Sequence, residues 1–123
     1  MKKFVLYQSE GANAPVVVLY LNETFWLTQR EMAELFDVDR SVITKHLRNV
    51  FEEGELEKGS ISANIALVRT EGARQVKRQA EIYNHDAIIA VGYRVNSLKA
   101  TRFHTWGSRA GRARRRAVST RAT

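Results

Sequence analysis

The chain has 123 residues, 44% of them hydrophobic and 27% charged, enough for one folded domain with or without an appendage. It contains no cysteine, which excludes disulfides and thiolate metal sites, and its apolar runs are too short for a signal-peptide core or a membrane span. The formal net charge of +7 is unevenly placed, because residues 107–123 carry six arginines and no acid and leave +1 for residues 1–106. The basic balance therefore belongs to the C-terminal end and says little about what the remainder binds. A cytoplasmic location is expected.

Phe4–Gln8 and the β-branched run Val16–Leu21 predict strands, separated by the turn-rich loop Ser9–Pro15. Asn22-Glu23 then leaves hairpin spacing before Thr24–Leu27, so residues 3–27 are expected to form a small antiparallel sheet. Thr28 and Glu31 fit a capping box, and Met32, Leu35 and Phe36 recur behind them at helical spacing. Asp37-Val38-Asp39 interrupts that pattern, and Asp39 is a good N-cap for a second helix. Within the second helix Ile43, Leu47, Val50 and Phe51 make one apolar stripe. The opposite stripe is Ser41, Thr44, Lys45 and Arg48, with Arg40 at its N-terminal end, and it contains no acid.

The acidic segment Glu52–Gly59 reads as a connector that would face away from phosphates. Ile61–Val68 and Val76–Ile82 alternate as strands, joined through Thr70–Arg74 in a hairpin that would gather Arg74, Lys77 and Arg78 near its tip. Asn84 can cap a helix from His85 with Ala87, Ile88 and Val91 inward, ending at Gly92 or Asn96. A short last helix, Leu98–Trp106, carries Phe103 and Trp106. From Gly107 no periodicity could build a core, so a folded domain over 1–106 and a disordered basic tail over 107–123 are expected. The abrupt change to Arg, Ala, Gly and Ser has the composition of a shifted reading frame in GC-rich DNA.

Two short helices joined by a tight turn can act as a helix-turn-helix, because the major groove of B-DNA, about 12 Å wide, admits one helix while the other braces it. On this reading Arg40, Ser41, Thr44, Lys45 and Arg48 contact base edges or phosphates. Arg74, Lys77 and Arg78 would form a wing against the backbone. The same residues also suit the solvated face of an amphipathic helix and an ordinary exposed hairpin. His46, His85 and His104 are dispersed in sequence without metal-ligand spacing. Neither a glycine-rich phosphate loop nor a GxSxG elbow is present, and a helix cap explains Asn84-His85-Asp86. No enzymatic activity, cofactor, metal or small-molecule substrate is expected. The expected partner is double-stranded DNA, and a two-fold homodimer would extend the few base pairs one helix reads.

LNETFWLTQREMAELFDVDRSVITKHLRNVFEEGEL (21–56), YNHDAIIAVGYRVNS (83–97) and the ATRFxxW ending at Trp106 resemble the virulence-protein RhuM family of bacteria. The resemblance implies a DNA-binding module akin to phage antirepressor and Bro-type N-terminal domains, often encoded on mobile elements. It places a helix start at Trp26–Gln29 and a second helix at Asp39–His46. Asp37 falls where a helix-turn-helix usually has glycine, and must adopt a left-handed backbone or a different turn. The resemblance is expected to stop at Trp106. The expected fold is α+β, a winged-helix-like helix-turn-helix domain with small antiparallel β-hairpins. The expected function is transcriptional regulation, the alternative being an antirepressor-like protein-interaction module. A further alternative is nonspecific binding of polyanions by the arginine tail.

Overall fold

β-branched and aromatic residues favour a pleated backbone, and they fill the first three strands, β1 (Lys3–Tyr7), β2 (Val16–Leu21) and β3 (Thr24–Thr28). The structure, a computed structural model, describes residues 3–9 and 14–122. Part of the expected Ser9–Pro15 loop thus lies outside the described residues. Asn22 and Glu23 form the turn between β2 and β3 with φ of 54° and 62°, the pair of positive values that a type I′ hairpin needs.

Helix α1 (Gln29–Phe36) begins where β3 ends. Thr28 Oγ1 accepts from the Glu31 amide at 3.2 Å, and the Glu31 carboxylate accepts from the Thr28 amide at 2.8 Å, completing the predicted capping box. Asp37 stops the helix in the left-handed region, at φ 55° and ψ 52°, and its amide donates to the Ala33 carbonyl. Asp39 then caps α2 (Arg40–Glu52). The acidic connector contains a short turn of helix, α3 (Lys58–Ile61), so Ile61 closes a helix rather than opening a strand. There follow β4 (Ser62–Glu71), β5 (Arg74–Asn84), α4 (His85–Val95) and α5 (Ser97–Ala122).

The expected separate hairpins are one antiparallel sheet, in the order β1-β2-β3-β5-β4. The junction is β3 on β5, with Trp26 opposite Asn84, Leu27 opposite Tyr83 and Thr28 opposite Ile82. Burial drives it: Leu27 and Tyr83 face the helices and are 0% and 3% exposed. Pairing with β3 ends at Ile82, whereas β4 and β5 stay paired out to Glu71 and Arg74. Residues 74–81 thus belong to a two-stranded ribbon roughly 25 Å long, by the rise of a strand.

The main core lies between one sheet face and the helices. It joins Val18, Phe25 and Leu27 to Met32, Phe36, Ile43, Leu47, Ile88, Val91 and Phe103. Each such side chain, fully buried, contributes about 1.5–3 kcal/mol. Gly92 lies inside α4 instead of ending it, and Asn96 is the C-cap. A Cβ at Gly92 would stand 2.5 Å from Phe36 Cζ and 2.8 Å from Ala100 Cβ, so glycine there permits α4 to approach both neighbours. The opposite sheet face holds a smaller cluster of Leu19, Trp26 and Ile82, where Trp26 Nε1 donates to the Leu21 carbonyl at 2.8 Å.

The expectation of a disordered tail is corrected. α5 runs without a break across residue 106, the expected domain boundary, and continues to Ala122. Phe103, Gly107 and Gly111 are buried at i, i+4 and i+8, and Trp106 and Ala110 pack beside them. A stripe completed by glycine and alanine shows no hydropathy period, yet it fits a helix laid closely on the sheet. The alanines and arginines that follow are good helix formers.

Candidate nucleic-acid interface

Burial of Ile43, Leu47 and Val50 fixes the roll of α2 and leaves Arg40, Ser41, Lys45 and Arg48 exposed. Among the described residues no carboxylate lies within ion-pairing distance of Arg40, Lys45 or Arg48. Ser41 is committed to the cap. Its amide donates to Asp39 Oδ2 at 2.9 Å and its hydroxyl donates to the same oxygen. The Ser41 hydroxyl, and then its amide, hold the Asp39 carboxyl below its ordinary range.

Thr44 differs from the other four. It is half-buried, and its hydroxyl donates to Gln29 Oε1 at 2.6 Å. Gln29 Nε2 in turn donates to the Tyr83 hydroxyl on β5 at 3.2 Å. Burial pushes the Tyr83 phenol up, and the Gln29 hydrogen bond acts against that shift. One amide side chain thus ties α2, the start of α1 and the sheet together, which sets the angle at which α2 presents its basic residues. Gln29 was not evident as a site residue, because its partners come from distant parts of the chain.

The hairpin residues do not form one cluster. Alternation along β5 places Arg74 and Arg78 on the face away from the helices and Lys77 on the face shared with Tyr83. Arg78 donates from Nε and Nη2 to the Glu71 carboxylate at 2.8 and 3.0 Å, so its charge is largely matched. Lys58 pairs with Glu81 across 3.5 Å at the root of the ribbon.

Two of the three histidines, dispersed in sequence, meet in space. His104 Nδ1 and His85 Nε2 are 3.3 Å apart with the rings stacked at 5.0 Å. Burial, and secondarily the charge of His104, press the His85 pKa below its ordinary value, while Asp86 opposes them. Among the described residues no group of three or more His, Cys, Asp or Glu is placed to hold a metal ion, and no helix is long and apolar enough to cross a membrane.

The family model of the virulence protein RhuM family matches residues 60–113, which supports the kinship indicated by the sequence motifs. The matched segment covers β4, β5, α4 and the first part of α5, including YNHDAIIAVGYRVNS and ATRFxxW. It extends past Trp106, where the resemblance was expected to stop, and it does not reach the α1–α2 pair. No curated protein and no solved structure matches the chain.

Proposed function

We propose that the chain is a DNA-binding regulator that inserts the Asp39–Phe51 helix in the major groove of double-stranded DNA. The observation that carries this reading is the exposed face of α2, where Arg40, Lys45 and Arg48 stand with no carboxylate among the described residues to neutralise them. The order β3–α1–α2–α3–β4–β5, with β3 paired to β5, supports a helix-turn-helix followed by a wing. Lys45 and Arg48 take phosphates or guanine, whereas Ser41 is held in the helix cap by Asp39. Thr44 braces α2 through Gln29 rather than reading a base. Lys77 and Arg74 lie along the ribbon for backbone contact. A two-fold dimer would double the reading frame of a single helix.

The test is duplex binding at moderate salt by the Lys45→Ala/Arg48→Ala double variant, beside sequence selection with the unaltered chain. A loss of affinity with relaxed sequence preference is expected. Affinity unchanged by the double substitution rules out groove reading by α2.

A protein-interaction module is the second reading. Phe4, Leu6 and Val17 favour it, because they lie on the sheet face away from the helices and are 58%, 63% and 42% exposed. Leu6→Glu separates the two readings, since it should leave duplex binding intact and abolish a contact made through that face.

A further inference from the structure

Between the helical pair and the root of the ribbon runs a groove of about 330 Å³, lined by Gln29, Arg30, Arg40, Arg78 and Glu81 among others. Two arginines without a firm carboxylate partner, Arg30 of α1 and Arg40 of α2, line one cleft beside a single lining carboxylate, while Arg78 at its edge is already matched by Glu71. The lining carboxylate, Glu81, is already held by Lys58 at 3.5 Å. Arg40 has no carboxylate partner among the described residues, and Arg30 has only a loose one, Glu34 at 3.8 Å with both side chains more than half exposed. Such an exposed pair is worth little and yields readily to a better anion. Arg78 is held in place by Glu71 at the far side.

We infer that this groove is a phosphate-binding site, and that it seats one backbone phosphate of the DNA bound by α2. The inference rests on the proposed DNA-binding reading and adds a residue to it, Arg30. Arg40 belongs to both surfaces: it lines the groove and begins the exposed face of α2. A strand whose bases meet α2 would pass its phosphates over the groove on the way to the ribbon. A phosphodiester suits guanidinium groups in particular, because their planar forks bond two of its oxygens at once.

The test uses the full chain and its Arg30→Gln and Arg30→Lys variants, with duplex affinity measured across a salt series. Arg30 is exposed, so the variants should keep the melting temperature of the parent. Arg30→Gln is expected to lower the slope of log affinity against log salt by about one, with the same fold-loss on preferred and scrambled duplexes. Arg30→Lys should restore the slope. A slope unchanged in Arg30→Gln overturns the inference. If Lys45→Ala/Arg48→Ala still weakens binding in that case, the DNA-binding reading survives without the groove. Titration with inorganic phosphate, followed by the amide resonances of Gln29 and Arg30, distinguishes the source of the anion. Shifts there without duplex binding would mark a site for free phosphate and overturn the assignment to DNA.

Discussion

Thr44 and Gln29 are fifteen positions apart, and the hydroxyl of one donates to the side-chain carbonyl of the other at 2.6 Å. The bond crosses from the middle of α2 to the first residue of α1. Together with the Gln29–Tyr83 bond it holds α2 at a fixed roll over the sheet. Thr44→Val keeps the shape and removes the donor, so unfolding in urea should show a loss of about 1 kcal/mol. Its base preference in sequence selection should match that of the parent. A changed preference would mean that Thr44 reads DNA directly.

Asp37 holds a left-handed backbone at φ 55° that glycine adopts without steric cost. Asp37→Gly should therefore stabilise the protein by about 0.5–1 kcal/mol, net of the extra freedom glycine brings to the unfolded chain. Denaturant midpoints of the two proteins check this. A lower midpoint in the variant would show that the aspartate side chain contributes more than its backbone costs.

Gly92 should behave in the opposite way to an exposed helix glycine. Alanine in mid-helix ordinarily gains about 1 kcal/mol over glycine. Here the added methyl meets the Phe36 ring at 2.5 Å, and Gly92→Ala should cost about 1–3 kcal/mol by overpacking. Combining it with Phe36→Leu should return part of that loss. Thermal melts of the single and double variants provide the measurement.

His85 makes stability depend on pH. Its folded pKa lies below the ordinary value of 6.5, chiefly through burial, so the unfolded chain binds a proton more readily. The contribution is complete above about pH 6.5 and is lost as pH falls through that value toward the folded pKa. The melting temperature should therefore drop between pH 7.5 and 5.5, and His85→Gln should flatten that drop. Equal slopes for both proteins would remove His85 as the cause.

Features coded by neighbouring residues were legible before the structure. Thr28 with Glu31, Asp39 and Asn84 each announce a helix start through short-range hydrogen bonds, and each cap is present. The alternation in β4 and β5 likewise reveals strands, but the position of their turn allowed Arg74, Lys77 and Arg78 to be grouped wrongly, since faces depend on register. The β3–β5 pairing left no local trace, because Leu27 and Tyr83 are ordinary core residues until they are placed side by side. The Gln29 bridge and the groove beside it follow from that pairing and were hidden with it. The continuation of α5 was missed for a different reason: Gly107, Ala110 and Gly111 pack by being small.

The same pairing governs the order in which the protein can assemble. Between Thr28 and Ile82, which sit opposite each other in the sheet, lie both candidate DNA-binding elements, α2 and the ribbon. On a growing chain, α1 and α2 emerge well before β5, so β3 waits with one side open until residues 82–84 have been made. Closing so long a loop is slow relative to forming a helix. Until it closes, Gln29 has no Tyr83 to hold, and α2 is not set at its final angle. The proposed DNA-facing geometry of α2 is therefore acquired late in synthesis, once β5 has taken its place.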